Sequence, residues 1–431
     1  MSSDLIHVHG VGELRLGATI ARAGEGTIRE LVGHPDSVAK IFHPDLKNLG
    51  EKREKVTAMV RDRPPTTIEP DGFVVLTWPT HVIDKPGDGV GYIMPRIHSA
   101  DAVEIHIVSN PSHRVDPPQA GPQWVKHVKW QHLLSTASNL CLAVHTVHQT
   151  RAVIGDFQER NILVSDTTRV TLVDCDSMQF IDRNGRQYLC SLGRADFTAP
   201  ELFGLDLRTT PRQKSSDLFA LAVHIHLLLM AGNHPFLRGR WTGGGEQPDA
   251  QALAKTGQWA GGPGSLLRTH PLAPPVNFLP DRILRLFARA FTTGARNPTA
   301  RPTADEWRTA LAAVELTQCR RGHQLPRGGS GCPWCSIDGE RHHRRADHKS
   351  VSLIQPEPIP KREPRRTVAP PTAMATRGHS PSRIRSTPST RGFGPAPVSR
   401  ITAEQRILLW VAAGFVVLAV IVAAVMAFHA G

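Results

Sequence analysis

The stretch Val153–Phe180 reads V-I-G-D-F-Q-E-R-N-I-L-V-S-D-T-T-R-V-T-L-V-D-C-D-S-M-Q-F. It contains two short runs of β-branched residues and leucine, Ile162–Val164 and Val170–Val173, which are typical of β-strands. The turn-forming pair Ser165-Asp166 follows the first run directly. This pattern predicts a β-hairpin with polar residues flanking it on both sides.

Three oxygen-bearing side chains flank the predicted hairpin. Asp156 precedes the first strand, Asn161 lies at its start, and Asp174 follows the second strand. Because the start of one hairpin strand lies beside the end of the other, we expect these side chains at one end of the hairpin. Carboxylate and amide oxygens gathered in this way suit Mg²⁺ on a nucleotide phosphate, since this hard cation usually takes one or two carboxylates together with phosphate oxygens.

The spacing of these residues resembles that of the catalytic and metal-binding loops of protein kinases. The resemblance implies that Asp156 orients a substrate hydroxyl or accepts its proton. It further implies that Asn161 binds Mg²⁺ and that Asp174 bridges Mg²⁺ to the β- and γ-phosphates. A Gly-Asp catalytic loop followed by an Asp-x-Asp-Ser motif resembles, in particular, a bacterial group of kinase-like proteins.

The chain departs from the usual kinase sequence at several positions. Gly155 replaces the arginine of His-Arg-Asp that reads activation-loop phosphorylation, so control by such a phosphorylation is not expected. Gln158 replaces a lysine near the γ-phosphate, and Arg160 could partly replace its charge. Asp176 takes the place of the glycine in Asp-Phe-Gly, and Arg194 that of a threonine found in Ser/Thr kinases.

Residues 13–42 predict strands joined by a glycine-rich turn, and Lys40 lies in the last of them, V-A-K-I-F. Such a turn lets backbone N–H groups approach phosphates, although a plain hairpin has the same pattern. The sequence around Lys40 resembles the kinase strand whose lysine holds the α- and β-phosphates. The residues that the resemblance assigns to ATP binding are Ala21, Ala23, Gly24, Gly26, Ile28, Ala39, Lys40, Met94, Pro95, Arg96, Gln158, Asn161 and Asp174.

The segment Glu51–Val60 has helical spacing. In a kinase this helix carries the glutamate that pairs with the strand lysine. Glu54 lies in the better register for that role and Glu51 is the alternative, while a solvated charged helix face would explain both residues more simply. Farther along, Gly91–Ile97 predicts the strand and hinge between two lobes, with Met94 at the entrance to an adenine pocket.

Motifs of a kinase C-lobe follow in the expected order. The sequence Thr-Ala-Pro-Glu resembles the end of an activation segment, and its Glu201 would pair with Arg301 in a buried ion pair. Ser215–Phe236 resembles the large buried helix of the C-lobe, in which Asp217 would brace the catalytic-loop backbone. Residues 237–275 are rich in glycine and proline and predict a loop. Further helices are predicted at Trp124–His148, Asp281–Phe291 and Ala304–Leu316.

Four residues after this region have the spacing of metal ligands. Cys319, His323, Cys332 and Cys335 form a Cys-x₃-His pair followed by a Cys-x₂-Cys pair. Three thiolates and one imidazole suit tetrahedral Zn²⁺ and leave no position open for water, so a structural zinc site is expected. A redox Cys-x-x-Cys motif is the alternative, but no thioredoxin-like pattern surrounds it.

The formal net charge of +13 can indicate nucleic-acid binding. Much of the excess lies in residues 341–406, which are rich in Pro, Ser, Thr and Arg, and that composition predicts disorder. Aromatic residues that could stack on bases do not alternate with these arginines, so nucleic-acid binding is not expected. The six cysteines are too scattered for a disulfide framework, which favours a reducing, cytosolic setting.

The segment Ile407–Phe428 contains no charged residue and is long enough to span a bilayer as a helix. Arg400 and Arg406 precede it, so the positive-inside rule predicts that residues 1–406 are cytosolic. A buried hydrophobic helix is the alternative. We therefore expect a single-pass C-terminal anchor in the cell membrane.

These observations predict an α+β protein with a bilobal, protein-kinase-like fold, whose N-lobe is an antiparallel sheet plus a helix and whose C-lobe is mainly helical. The predicted parts are a kinase-like domain at 10–316, a zinc ribbon at 317–337, a disordered basic linker at 338–404 and a transmembrane helix at 405–429.

The predicted function is that of a Ser/Thr-type protein kinase that uses ATP with Mg²⁺ or Mn²⁺. Its protein substrate is open, and tethering suggests autophosphorylation of linker residues such as Ser380 and Thr387. The alternative is a pseudokinase that acts as a nucleotide- or partner-binding scaffold, because Gln158, Asp176 and Arg194 depart from the kinase pattern.

Overall fold

The computed structural model describes residues 4–85, 89–115, 117, 119, 121–328 and 331–352. The predicted membrane helix at 405–429 lies outside these residues, as does most of the predicted linker. Within the described part of the chain, no helix is both long enough and apolar enough to cross a bilayer.

The described residues form a mixed structure of strands and helices, in agreement with the α+β prediction. The strands are β1 (Leu5–Val8), β2 (Gly12–Arg22), β3 (Gly26–Leu31), β4 (Ser37–Phe42), β5 (His81–Lys85), β6 (Gly89–Pro95), β7 (Ala102–Glu104), β8 (Ala152–Val153), β9 (Ile162–Ser165), β10 (Val170–Leu172), β11 (Gln179–Ile181), β12 (Gln187–Tyr188), β13 (Arg240–Trp241), β14 (Leu267–Arg268), β15 (Leu316–Gln318) and β16 (Gln324–Pro326). The helices are α1 (Leu49–Arg61), α2 (Ile105–Ser109), α3 (Pro111–Val115), α4 (Trp130–Gln149), α5 (Lys214–Leu229), α6 (Ala250–Thr256), α7 (Asp281–Ala288), α8 (Gly294–Arg296), α9 (Ala304–Ala312) and α10 (Pro333–Ser352).

The N-terminal lobe is an antiparallel barrel with the strand order β1-β2-β3-β4-β6-β5. Strand β1 closes the barrel because it pairs with β2 on one side and with β5 on the other, where Val8 faces Ile83. Inward-pointing residues of the strands fill its core, namely Ile6, Val8, Leu16, Leu31, Ala39, Ile83 and Ile93. Helix α1 packs against β5 and β6. The strands within residues 13–42, the strand that begins near Gly91 and the helix were predicted, but β1 and β5 were not.

Helix α5 lies at the centre of the C-terminal lobe and is buried along nearly its whole length. Helix α4 packs against α5 and α9 through an apolar face with the predicted steps of three and four residues. It begins at Trp130, later than predicted, because the preceding residues Gln123–His127 form a short 3₁₀ turn. Arg301 donates to both carboxylate oxygens of Glu201, at 2.7 and 2.6 Å, which confirms the predicted ion pair.

The loop predicted at residues 237–275 is wrong in part, since this segment contains β13, α6 and β14. Asp249 caps the start of α6 by accepting a hydrogen bond of 2.7 Å from the N–H of Ala252. Gly257 ends the helix in the left-handed conformation, with φ at 70°. These two caps stabilise a short helix inside a segment rich in glycine and proline.

Helix α10 continues to Ser352, whereas disorder was predicted from residue 338. Glu340 accepts a hydrogen bond of 2.7 Å from Arg344, one turn farther along the helix. Asp338 lies 3.9 Å from Arg341. Pairs of opposite charge three and four residues apart stabilise a helix, so the described start of the predicted linker is helical and not disordered.

Strands β9 and β10 form the predicted hairpin, with Ile162 opposite Leu172 and Val164 opposite Val170. Strand β7 pairs with the other edge of β9. The N–H of Leu172 donates to the carbonyl of Val75 at 2.8 Å, which links the hairpin to the chain between α1 and β5. The hairpin therefore lies where the two lobes meet.

Candidate active site and metal-binding cluster

The open end of the β9–β10 hairpin brings together the three polar residues that flank it. The N–H of Val173 donates to the carbonyl of Asn161 at 3.0 Å, so Asn161 lies beside the residues that lead to Asp174. The amide of Asn161 donates to the carbonyl oxygen of Asp156 at 2.9 Å and to its carboxylate at 3.3 Å. Asp156 and Asn161 are therefore in contact, and Asn161 lies beside the strand end that leads to Asp174, while the catalytic roles of all three residues stay predictions.

Two side chains fix the loop that carries Asp156. Asp217 accepts hydrogen bonds from the N–H groups of Ile154 and Gly155, at 2.8 and 3.1 Å, which confirms the predicted brace from α5. The amide of Gln158 donates to the carboxylate of Asp156 at 2.7 Å. The Asp156 carboxylate is therefore oriented by the amides of its own loop.

Gly155 leaves room for an arginine from another part of the chain. It adopts a φ of 71°, and a Cβ atom there would lie 2.8 Å from the Sγ of Cys190 and 3.0 Å from the Nη1 of Arg212. The Arg212 side chain is buried and donates to the carbonyl of Leu192. Arg212 thus packs against Gly155, the residue that takes the place of the arginine in the His-Arg-Asp motif of kinases.

Lys40 lies at the centre of a buried cluster of charges. Its ammonium donates to Asp174 at 2.6 Å and to both carboxylate oxygens of Asp176, at 2.8 and 2.9 Å. The hydroxyl of Tyr92, on the neighbouring strand β6, donates to Asp176 at 2.5 Å. Only 2% of Lys40 is exposed, and Asp176 is fully buried. The lysine and the second aspartate therefore hold each other in a water-poor environment.

The two carboxylates share this ammonium unequally. Burial alone lowers the pKa of Lys40, but the charges of Asp176 and Asp174 outweigh it and raise that pKa above its usual value. Burial acts to raise the pKa of Asp176, but Lys40 and Lys52, together with hydrogen bonds from Lys40 and Tyr92, lower it well below its usual range. Burial, followed by the charge of Asp176, raises the pKa of Asp174. The lysines thus favour the anionic form of Asp176, whereas its own burial and the charge of Asp176 oppose the anionic form of Asp174.

Glu54 does not reach Lys40, and the prediction that the two residues pair is wrong. Glu54 accepts from Arg186 at 2.5 Å at the surface, where both side chains are 54% exposed. Glu51, the alternative, is exposed as well. The inward face of α1 instead carries Lys52 and Lys55, which are buried. The glutamate prediction failed because the helix turns a lysine inward at residue 55, next to the residue that was chosen.

The charge inversion of α1 can be read from the sequence in retrospect. Lys52, Lys55, Val56 and Met59 recur at steps of three and four and share one buried face. Since Val56 and Met59 mark the core side, the two lysines had to lie on that side too. The sequence around Tyr92 contains no comparable pattern, because the hydroxyl of Tyr92 donates to Asp176, which lies far away in the sequence.

The predicted nucleotide-binding turn connects β2 and β3. Ala21 faces Ile28 across these strands, and Ile28 faces Lys40 across β3 and β4. Ala23 and Gly24 lie in the turn itself, where the N–H of Ala23 donates to the carbonyl of the residue that starts β3, at 2.8 Å. One continuous ladder thus connects the turn to the lysine.

Two further contacts hold the turn in place. A Cβ atom at Gly26 would lie 2.4 Å from the carbonyl oxygen of Ile41, so only glycine allows β3 and β4 to approach this closely. The carboxylate of Glu25 accepts from Lys52 at 2.5 Å, which ties the tip of the turn to α1.

The predicted adenine side is formed by β4 and the end of β6. Ala39 is fully buried and Met94 nearly so. Pro95 has no N–H group, and the N–H of Arg96 donates to the carbonyl of Asp36 at 2.9 Å. Neither Pro95 nor Arg96 therefore offers a free N–H group to an adenine base. Recognition of a base at this place would have to use other backbone groups.

Cys319, His323, Cys332 and Cys335 come together as the spacing predicted, with their ligand atoms all within 4.8 Å of one another. The Nδ1 of His323 lies 3.6, 3.6 and 3.4 Å from the sulfurs of Cys319, Cys332 and Cys335. Around a tetrahedral zinc ion, bonds of about 2.3 Å to sulfur and about 2.1 Å to nitrogen separate such atoms by about 3.6 Å. The cluster is therefore compatible with zinc.

Contacts around the cluster orient its histidine and attach it to the C-lobe. The Nε2 of His323 lies 3.4 Å from the carboxylate of Asp338, which suits a histidine that offers Nδ1 to a metal. Trp334 packs edge-on against Phe278, with ring centroids 5.5 Å apart. Leu325 is buried in the main core. The predicted ribbon thus packs on the C-lobe as part of the same core.

No known protein-family model matches the chain. The chain is similar to "Protein kinase YegI" of Escherichia coli strain K12, with 30% identity over 349 residues that cover 76% of this chain and 50% of the relative. It is similar also to "Protein kinase YegI" of Escherichia coli O157:H7, with 30% identity over 343 residues that cover 75% of this chain and 49% of the relative. The chain spans about half the length of these curated relatives. These similarities support a bacterial protein-kinase-like family and a kinase-like function.

Proposed function

We propose that this protein is a protein kinase that transfers the γ-phosphate of MgATP to serine or threonine hydroxyls of proteins. The observation that carries the proposal is the gathering of Asp156, Asn161 and Asp174 at one end of a hairpin, with Lys40 bonded to Asp174 at 2.6 Å. The similarity to proteins named as kinases supports the same reading and implies ATP with a divalent metal.

The roles proposed for these residues follow from their chemistry. Asn161 and Asp174 would hold Mg²⁺ through their oxygen atoms, which are the ligands that this ion prefers. Mg²⁺, when bound, neutralises charge on the β- and γ-phosphates. The carboxylate of Asp156, oriented by Gln158, would hold the substrate hydroxyl and accept its proton. Lys40 would hold oxygens of the α- and β-phosphates.

The binding of metal has a defined consequence for Lys40. Asp174 accepts from Lys40 through one carboxylate oxygen in the described arrangement, and it would share its negative charge with a metal ion held there. Asp176, which is fully buried and accepts from Lys40 through both carboxylate oxygens, would hold the lysine even if Asp174 held a metal ion. The lysine would therefore stay in position while its first partner changes.

A pseudokinase that binds nucleotide or a partner without transfer is the second candidate. The observation that favours it is the inaccessibility of Lys40. This residue is only 2% exposed, and its ammonium already pairs with the carboxylates of Asp174 and Asp176. The replacement of a positively charged lysine by Gln158 near the γ-phosphate favours it as well.

The experiment that separates the two candidates is incubation of the full-length protein with radiolabelled ATP and Mg²⁺ or Mn²⁺. The kinase predicts label transfer to the chain or to a generic protein substrate, and loss of this transfer in Asp174→Asn. Asp166→Asn is the matched control, because Asp166 is an exposed aspartate in the turn of the same hairpin. Nucleotide-dependent thermal stabilisation without any transfer would favour the pseudokinase and refute the kinase.

We propose in addition that the Cys₃His cluster holds a structural Zn²⁺ and that residues 405–429 anchor a cytosolic kinase domain in the cell membrane. The ligand spacing and separations support the first proposal. The uncharged sequence supports the second. Fractionation of cells that express the full chain, compared with a chain without residues 405–429, tests the anchor.

A further inference from the structure

A cavity of about 260 Å³ lies between the C-lobe and the predicted zinc ribbon. Residues of α3, of the start of α4 and of the chain just after α5 form its wall on the C-lobe. Residues of the ribbon and of the first turns of α10 form the wall opposite. The residues proposed for phosphoryl transfer do not line it, namely Lys40, Asp156, Asn161 and Asp174. The roles proposed above therefore leave this cavity without a function.

Much of the cavity wall is apolar and includes two tryptophans. Phe278 packs edge-on against both, with ring centroids 5.2 Å from Trp130 and 5.5 Å from Trp334. The indole N–H groups already have partners, because Trp334 donates to the carbonyl of Gln324 at 2.9 Å and Trp130 to that of Leu229 at 3.5 Å. The other apolar residues of the wall are Pro111, Val128, Leu133, Ala231 and Ile337. Such a wall favours contact with a further aromatic ring.

Arg114 brings a donor without a partner to this wall. Its Nη1 donates to the carbonyl of Val128 at 3.1 Å, whereas its buried Nε has no hydrogen-bond partner within the part of the chain that the structure describes. Burial, followed by the charge of Arg341, lowers the pKa of Arg114 to about 10. Because a buried polar group without a partner is costly, a ligand that accepts from this guanidinium would be stabilised.

Positive charge is in excess around the cavity. Arg341 and Lys129 line it together with Arg114, and Asp338 is the only carboxylate among the described residues of its wall. Asp338 already lies 3.4 Å from the Nε2 of His323 and 3.9 Å from Arg341. Its negative charge is thus shared by partners other than Arg114. A ligand with a negative charge therefore suits this cavity better than a neutral one.

We propose that this cavity binds a small aromatic carboxylate. The carboxylate would accept from Arg114, because the planar guanidinium and carboxylate groups match in geometry. The aromatic ring would lie among the apolar residues of the wall. The volume of 260 Å³ is slightly below that of pockets for drug-sized molecules, which restricts the ligand to about one or two rings. The site uses none of the residues proposed for phosphoryl transfer, so it stands apart from the proposed function.

The test measures the affinity of the full-length protein for naphthoate by calorimetry, at neutral pH and constant ionic strength. Naphthamide, in which an uncharged amide replaces the carboxylate on the same two rings, is the matched ligand. The native chain is expected to bind naphthoate at least about tenfold more tightly than naphthamide. Arg114→Met should bind naphthoate at least about tenfold more weakly than the native chain does, because it removes a charged donor and keeps a long apolar side chain.

Arg282→Met is the matched control, because Arg282 is an exposed arginine on α7 that does not line the cavity. It should bind naphthoate like the native chain. Arg341→Met changes a partly exposed residue of the same cavity and should weaken binding to a smaller degree. This variant provides a readout even if Arg114→Met does not fold. The thermal unfolding midpoint of every variant is measured first, so that a loss of fold is not mistaken for a loss of binding.

Equal affinity for naphthoate in Arg114→Met and Arg282→Met would overturn the proposal. Equal affinity of the native chain for naphthoate and naphthamide would overturn it as well, and so would the absence of naphthoate binding by the native chain.

Discussion

Replacement of Asp176 by asparagine tests whether the second aspartate of the Asp-x-Asp motif positions the phosphate-binding lysine. Asparagine keeps the size of the side chain and one acceptor oxygen but removes the negative charge. Lys40 would then keep Asp174 as its only carboxylate partner. Because Asp176 is fully buried and accepts from Lys40, we expect it to act through Lys40 as a positioning residue.

The size of the effect follows from the burial of the pair. Loss of one partner from a buried ion pair costs about 3–5 kcal/mol, and Asp174 limits the loss in the described state to about 3 kcal/mol or less. If Asp174 also held a metal ion, it would offer less negative charge to Lys40, so the cost of losing Asp176 would approach the full value. A cost of about 3 kcal/mol corresponds to a decrease of about a hundredfold in kcat/KM for ATP.

The assay separates positioning from folding. Activity and ATP affinity are measured on the full-length protein well below its thermal midpoint, so that the native fraction stays constant. We expect a higher KM for ATP, or a weaker ATP affinity if no transfer occurs, together with a lower thermal midpoint. Asp166→Asn should change neither quantity.

A charge exchange provides the stricter test. Asp176→Gly restores the usual Asp-x-Gly sequence and should weaken ATP use, whereas Lys55→Glu places a carboxylate on the buried face of α1. The double variant recreates the arrangement of other kinases. It should regain at least about tenfold of the kcat/KM for ATP lost in Asp176→Gly, because the effects of substitutions at neighbouring residues are not additive. Normal ATP affinity in Asp176→Asn, or strictly additive losses in the double variant, would refute the reasoning.

Two further predictions concern the C-lobe. Zinc analysis of the full-length protein should find about one ion per chain, and Cys335→Ser should lower both the zinc content and the thermal midpoint of the kinase-like region, since Leu325 of the ribbon is buried in its core. A zinc-free chain with an unchanged midpoint would contradict this. Burial lowers the pKa values of His224 and His226 to about 4 and 3, so the unfolded state binds protons first as the pH falls below about 6.5. The free energy of unfolding should therefore decrease between about pH 6.5 and 4, by about 3 kcal/mol for His224 alone, and urea titrations of the native chain and of His224→Gln should show a smaller decrease in the variant.

The parts of the site that could be predicted are those encoded in short stretches. The hairpin at 162–173 follows from β-branched runs and a turn, and its two strands bring Asn161 and Asp174 together by geometry alone. Asp217 and the Glu201–Arg301 pair were predictable because each belongs to a motif that resembles the kinase family. The predicted ion pair is present, with Arg301 fully buried and the Glu201 side chain still 28% exposed.

The parts that could not be predicted depend on contacts between distant segments. The partner of Lys40 was assigned to α1 by analogy, but the carboxylate comes from residue 176 and a lysine occupies the buried face of the helix. Strand β1 closes the barrel only through its pairing with β5, and a short strand of four residues carries little signal by itself. The caps of α6 became visible only in three dimensions, because Asp249 and Gly257 enclose too few residues to show helical spacing.

The carboxylate that pairs with Lys40 comes from Asp176 and not from α1 as predicted. This difference changes which movement of the protein can disable the site. Neither Lys40 nor Asp176 lies on α1, but α1 packs against the turn Cys175–Ser177 that carries Asp176, and the charge of Lys52 helps to lower the pKa of Asp176. A flip of the segment around Asp174 moves Asp176 as well, because the two residues are separated by a single residue. Helix α1 remains connected to the nucleotide side through the Lys52–Glu25 pair at the tip of the glycine-rich turn. A displacement of α1 is therefore expected to act on the proposed nucleotide site by two routes, through the glycine-rich turn and through Asp176.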